Sequence, residues 1–223
     1  MHSNSRNIIS NQMHVHEKLL EIVQKHLEKP YRKPLARYSE SAFMNAEKII
    51  HGAGKPLILD SGCGTGESTW NLAQMYPDHF VLGIDKSAHR LSKAESLLED
   101  SDGNFAFVRA DLFDFWPMAV GAGWQIDRHY LLYPNPWPKK KHLMRRYHAH
   151  PEFSTLLRMG TYFELRSNWL IYLQEFRLAV RHVLNIDIEI TPIEPEIYLT
   201  NFEKKYHISG QSLYKICFSL NKD

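Results

Sequence analysis

The stretch Leu59-Asp60-Ser61-Gly62-Cys63-Gly64-Thr65-Gly66-Glu67 decides the fold. It closes a short apolar run, Leu57 to Asp60, and opens a segment with helical spacing, Glu67 to Met75. Glycines at alternate positions let the backbone turn sharply and come close to a ligand. In open α/β sheets, ligands sit beyond the carboxyl ends of the strands. Alone, such a turn is weak evidence, because a tight turn made only for packing has the same composition.

Working outward, the pattern repeats. Phe80 to Ile84 is the next strand, with a helix from Ser87 to Asp100. Asn104 to Val108 is a third strand and Ile126 to Tyr133 a fourth. Helical segments near 151–158 and 168–184 bracket a strand near 161–166. Two alternating apolar stretches, 186–190 and 212–220, suit an antiparallel pair at one end of the sheet. Strands alternating with helices predict βαβ units and a mostly parallel sheet with helices on both faces, a Rossmann-like α/β fold. Upstream, residues 13–29 and 39–51 have amphipathic helical spacing, with Ser39 as a plausible N-cap. The expected division is an N-terminal helical extension, 1–52, and one sheet domain, 53–223.

The strand ends carry the chemistry. Asp85 closes the second strand, about 20 residues after the glycine loop, where a carboxylate can accept ribose hydroxyls. Arg109-Ala110-Asp111-Leu112 follows the third strand, and the Asp111 carboxylate suits the exocyclic amine of an adenine. Residues 131–146 follow the fourth strand: Leu-Leu-Tyr-Pro-Asn-Pro-Trp-Pro-Lys-Lys-Lys-His-Leu-Met-Arg-Arg. Prolines 134, 136 and 138 stiffen this loop by fixing φ. The cations Lys139, Lys140, Lys141, Arg145 and Arg146 then suit a nucleic-acid backbone. A solvated basic face is the bland alternative, and most charge runs are that. The rigid loop at the predicted active edge favours the functional one.

Bulk properties set bounds. The 223 residues, 43% hydrophobic and 23% charged, suit a globular domain with a short extension. Net charge is only +2, so the chain is no polycation. No apolar run nears the roughly 20 residues that span a bilayer. Met1 to Gln12 is polar without an apolar signal core, which predicts a cytoplasmic protein. The two cysteines, Cys63 and Cys217, have no zinc spacing, and the 13 histidines are scattered, so no metal is expected. Cys63 reads as a small filler of the glycine loop.

Gly62-x-Gly64-x-Gly66, with Asp60 two residues before it, resembles motif I of the class I S-adenosylmethionine methyltransferases. It differs from the Gly-x-Gly-x-x-Gly of dinucleotide enzymes, which leaves a nicotinamide dehydrogenase as a distant alternative. The resemblance implies S-adenosylmethionine held by Asp60, Gly62, Gly64, Gly66, Asp85, Lys86, Asp111 and Leu112, with Asn135 at the same edge. Asp60 would lie near the methionine part.

Pro134-Asn135-Pro136-Trp137-Pro138-Lys139-Lys140-Lys141-His142 resembles the Pro-Asp-Pro-Trp segment and basic run of the bacterial tRNA (guanine-N7)-methyltransferases of the TrmB type. Thr200-Asn201-Phe202-Glu203 is similar to that family's Thr-x-Phe-Glu. Ser167-Asn168-Trp169 lies close to its Thr-Asp-Trp. The likeness covers roughly residues 55–215. It implies methyl transfer to N7 of a guanine in tRNA, with Asn135 at the catalytic position. Lys139, His142, Arg145, Arg146, Asn168, Thr200, Phe202 and Glu203 would lie on the substrate side. Arg145 and Arg146 would touch phosphates, which position rather than specify. Glu203 would offer an acceptor to the guanine edge, or else serve as N3 of a helix capped by Thr200. Trp137 would stack on a base or pack in the core.

Asn135 and Asn168 stand where the family has Asp. Guanine N7 carries a lone pair and no proton, so transfer needs no general base, and proximity and alignment carry much of the rate. An Asn keeps one acceptor but adds donors, which predicts weaker guanine capture or a changed target. The alternatives are a relative acting on another RNA or small molecule, and a non-catalytic relative that binds S-adenosylmethionine or RNA. A monomer or a homodimer fits equally.

Overall fold

A computed structural model describes residues 5–29, 31–99 and 103–220. Its elements run α1 Leu19–Glu28, α2 Arg37–Ala53, β1 Leu57–Ser61, α3 Glu67–Met75, β2 Phe80–Asp85, α4 Ala88–Glu99, β3 Phe105–Arg109, α5 Leu112–Gly121 and β4 Ile126–Leu132. After two short 3-10 turns, Lys140–Arg145 and Tyr147–Ala149, come α6 Phe153–Leu156, β5 Tyr162–Ser167, α7 Leu170–Leu184, β6 Thr191–Ile193, α8 Asn201–Ile208 and β7 Leu213–Ser219. The strands hydrogen-bond in the order β3-β2-β1-β4-β5-β7-β6. β1 runs parallel to β2 and β4, and β2 parallel to β3, whereas β6 and β7 are antiparallel. This is the mostly parallel α/β sheet, ending antiparallel, that the sequence predicts.

The chain divides into two compact units. One holds Lys33–Leu132, Arg158–Phe163 and the C-terminal end from Ser219. Every residue of β1 and β2 is buried there, as in a parallel sheet covered on both faces. Ile58, Leu59, Leu72, Leu82, Ile84, Phe115 and Trp116 form its core. Helix α2 packs on α5, with Phe43 edge-on to Phe115 and stacked on Trp124. The N-cap of α2 is Ala36, not Ser39; Ser39 is fully buried, and its Oγ accepts from the Asp111 amide.

The other unit holds the N-terminal segment through Arg32, Tyr133–Leu157 and Glu164–Phe218. In it α1 packs on α7, burying Leu19 and Val23, while α7 buries Tyr172, Leu173 and Phe176. The N-terminal helices thus do not form a unit of their own, since α1 and α2 belong to different ones. The strand expected at 186–190 also lies elsewhere: those residues are irregular, and the pair to β7 is Thr191–Ile193. Pro192, which has no N–H to give, is at home there because β6 is the outermost strand. Helix α5 goes unread in the sequence because Pro117 interrupts a nearly uncharged segment. It forms because Asp111 caps it, accepting from the Phe113 amide at 3.0 Å.

Candidate active site

In the sheet unit, the glycine loop joins β1 to α3. Gly62, Gly64 and Gly66 all have positive φ, which side-chain-bearing residues rarely adopt. They differ in surroundings. A Cβ on Gly66 would meet Ala94 Cβ and the Phe107 ring, each at 2.7 Å, so this glycine also lets α3 approach its neighbours. A Cβ on Gly62 or Gly64 would meet nothing within 4 Å, so the loop faces open space there. Cys63 is buried, and burial pushes its thiol up, so it stays protonated and fills space.

Asp60 is buried, and its Oδ2 accepts from Ser68 Oγ at 2.5 Å and Thr69 Oγ1 at 2.7 Å. It thereby fastens the first turn of α3 to the loop. Burial raises its carboxyl to about 6 against the pull of those hydroxyls. Asp85, at the end of β2, accepts from the amides of Gly64 at 3.1 Å and Ser87 at 2.8 Å, and from Arg90 at 3.3 Å. The Arg90 side chain is mostly exposed, so this ion pair is weak and readily given up. Asp111 uses Oδ1 for its cap, and its Oδ2 lies 3.9 Å from Lys33 Nζ. Lys86 is exposed and Leu112 buried.

The second unit carries the basic loop. Tyr133, directly after β4, donates its amide to Arg166 O at 2.9 Å, so this loop and the chain after β5 start side by side. Tyr133 and Trp137 both have positive φ, an outlier for bulky residues that surrounding structure must hold in place. Asn135 is exposed, and its Oδ1 accepts from the Trp137 amide at 3.2 Å, closing an Asx turn. Arg145 lies over the Trp137 ring at 4.6 Å, and His142 meets that ring edge-on. Trp137 therefore offers a face to a cation, not to the core. Lys139, Lys141 and Arg145 are exposed, as is Lys140, which pairs with Glu17.

Two expected substrate residues are not at the surface. Arg146, expected to touch phosphate, is fully buried. Its guanidinium donates to Glu175 Oε2 at 2.5 Å, to Gln12 Oε1 at 3.0 Å and to the Trp137 carbonyl at 3.0 Å. Glu175 also accepts from His148, Gln12 and the His16 amide. A buried charge persists only when paired and hydrogen-bonded, and this one is. The sequence shows Arg146 only as the last cation of a run; its partner Glu175 sits on α7, beyond any local signal. Glu203 is likewise fully buried, accepting from Tyr133 Oη, Arg166 Nη1 and the Leu199 amide at 2.9, 2.8 and 2.7 Å. It braces the start of the basic loop and presents no acceptor outward. Thr200 caps α8 through the Glu203 amide, and Phe202 is exposed and stacked on Tyr206. Asn168 is half-buried and donates to Gln211 Oε1.

Among the described residues no cluster of His, Cys, Asp and Glu could hold a metal, and no helix is long and apolar enough to cross a membrane.

The chain is similar to known methyltransferases. The tRNA (guanine-N(7)-)-methyltransferase of Bacillus cytotoxicus is 26% identical over 84% of this chain and 93% of its own length. That of Saccharophagus degradans is 28% identical over 76% and 78%. Among solved structures, the 16S rRNA methyltransferase KamB superposes with a TM-score of 0.59 at 15% identity, covering 86% of this chain and 97% of that one, a likeness of fold. A family model described as "Putative methyltransferase" matches residues 54–216, most of the chain, and the chain therefore belongs to that methyltransferase family.

Proposed function

We propose that the chain is a cytoplasmic tRNA (guanine-N7)-methyltransferase that uses S-adenosylmethionine. The observation that carries this reading is the loop Pro134–Arg145, where an exposed Asn135 in a stiff Asx turn adjoins exposed Lys139, Lys141 and Arg145. Relatives bearing that activity in their names support it.

The sheet unit suits the cofactor. Space stands open over Gly62 and Gly64, and Asp85 has a lone pair left after its three hydrogen bonds, with more once Arg90 swings away. Asp85 would hold the ribose hydroxyls and Asp111 the adenine amine. The loop Gly62–Gly66, stiffened by Asp60, would hold the methionine part, with Lys86 and Leu112 beside the nucleoside. When bound, S-adenosylmethionine supplies a methyl group on a positively charged sulfur, which a lone pair can take without prior deprotonation.

The protein's remaining work is then positional. Lys139, Lys141 and Arg145 attract and register the tRNA backbone. Asn135 and Asn168 offer neutral acceptors to the N–H edge of the guanine, which fixes the direction in which N7 faces. No residue has to remove a proton from N7, so a neutral amide at position 135 is compatible with turnover.

The test is incubation with methyl-labelled S-adenosylmethionine and unmodified tRNA transcripts, followed by digestion to nucleosides. Label in 7-methylguanosine is expected. No label in any nucleoside, with a related enzyme active in parallel, would refute the reading and put a different acceptor ahead.

A further inference from the structure

The side chain of Asn168 belongs to a chain of amides that ends on the N-terminal segment. Asn168 Nδ2 donates to Gln211 Oε1 at 2.7 Å. Gln211 Nε2 donates to the carbonyls of Ser5 at 3.2 Å and Arg6 at 3.4 Å. The Ser5 amide in turn donates to Ser209 Oγ at 2.9 Å. Further along the same segment, Ser10 Oγ donates to the Pro138 carbonyl, Asn11 Oδ1 accepts from the Lys140 amide, and Gln12 reaches Glu175. Residues 5–12 are thus a strap. They touch the loop that bears Asn135 and, through Gln211, the residue at 168.

The polarity of the relay is fixed from its outer end. A backbone carbonyl can only accept, so Ser5 and Arg6 hold the NH2 of Gln211 toward themselves. Its oxygen is then turned to Asn168 and can be met only by a donor. That commits Asn168 Nδ2 inward and leaves Asn168 Oδ1 without a partner among the described residues. Neighbouring donors and acceptors are what determine which way an amide faces. A carboxylate at 168 accepts only. It would turn Gln211 around and set its oxygen against the strap carbonyls.

We infer that Gln211 is a positioning residue, which keeps the Asn168 acceptor free for an N–H donor of the target base, and that the docked strap is the outer anchor of this arrangement. Asn168 is then matched to the strap, and base recognition is coupled to strap docking. The identity of the base rests on the tRNA reading above; the relay does not.

Two measurements on the full chain test it. In hydrogen exchange read by mass spectrometry, Asn168→Asp is expected to speed exchange of residues 5–10 about tenfold by costing the strap its bonds, with the sheet unchanged. Wild-type exchange in that segment would overturn the relay. In tRNA methylation, Gln211→Leu is expected to raise KM for tRNA about fivefold to tenfold, as loss of a hydrogen-bonded acceptor does, with S-adenosylmethionine affinity unchanged by calorimetry. Gln211→Glu accepts from Asn168 whichever way it is turned, so its polarity no longer depends on the strap, and it should restore KM while the strap stays loose. Glu and Leu variants with equal KM would overturn the positioning role. A wild-type protein that labels no tRNA would defeat the tRNA reading, and the exchange result would then decide the relay by itself.

Discussion

Arg146 distinguishes a buried brace from a surface phosphate contact, and its replacement has a calculable cost. Arg146→Met keeps the stem and removes the charge. In the folded chain Glu175 is fully buried and Arg146 is its charged partner. His148 also hydrogen-bonds to it, and burial pushes the His148 pKa down. Removing one member of such a pair strands the other and costs about 3–5 kcal/mol. For a chain of this length that lowers the melting temperature by roughly 10 °C. Glu175→Gln should cost a similar amount, stranding the guanidinium. The double variant should cost less than the sum of the two by about 2 kcal/mol, because neither charge is then left alone. Urea unfolding of the four proteins measures this cycle. An Arg146→Met protein within about 0.5 kcal/mol of wild type would behave as surface substitutions do and would refute the brace. The pair also sets a pH window. Burial pushes the Glu175 carboxyl up, yet the His148 hydrogen bond and the Arg146 charge outweigh it and hold it well below 4.5. A depressed carboxyl stabilises above its unfolded value and loses that stabilisation as pH falls through the folded one. The advantage of wild type over Glu175→Gln should therefore shrink on acidification below about pH 4.

Other expected outcomes are more local. Asp85→Asn should weaken S-adenosylmethionine binding roughly tenfold to a hundredfold by calorimetry, the worth of hydrogen bonds to a charged group; an unchanged Kd would remove Asp85 from the site. Arg145→Ala should weaken tRNA binding and flatten its log–log salt dependence by about 0.7–0.9, one phosphate contact; an unaltered slope would mean Arg145 serves only Trp137. Asp60→Asn tests burial at the glycine loop. The Asp60 carboxyl sits at about 6, above its ordinary 3.8, so its proton is held more tightly folded than unfolded. Below pH 3.8 this costs nothing, and above pH 6 it costs about 3 kcal/mol. The stability of Asp60→Asn relative to wild type should thus rise by about that amount between pH 4 and pH 7, and a pH-independent difference would show that the group is not desolvated.

What the sequence discloses follows from the range of each interaction. The glycine loop, β1 to β4 and their helices are legible because spacing of apolar residues and positive-φ glycines are local properties. Helix α5 is hidden because Pro117 argues against a helix that Asp111 and its buried face nevertheless sustain. The basic run reads correctly as charge, but not by residue. Lys139, Lys141 and Arg145 face solvent, whereas Arg146 turns inward because Glu175 and the Trp137 carbonyl wait there. Glu203 reads as a helix residue with a spare carboxylate until Tyr133, Arg166 and Leu199 are seen to use it. For Arg146 and Glu203 the charged or hydroxyl partners, Glu175, Arg166 and Tyr133, lie on distant elements, so no short window of sequence contains both.

The amides at 135 and 168, where the family resemblance implies acids, are therefore not equivalent, and they make opposite predictions. At position 135 the side chain only accepts, from the Trp137 amide, and a carboxylate does that equally well. Asn135→Asp should leave the loop in place and add a charge-assisted acceptor, lowering KM for tRNA about fivefold, since such bonds are roughly twice as strong as neutral ones. At position 168 the side chain must donate, to Gln211, and a carboxylate cannot. Asn168→Asp should gain nothing for guanine and loosen the strap instead. A kinetic comparison of both single variants and the pair decides it. If Asp improves both positions alike, each Asn is merely a weakened acid. If it improves only 135, the amide at 168 is the side chain its surroundings require, a neutral acceptor held in place by residues 5–12.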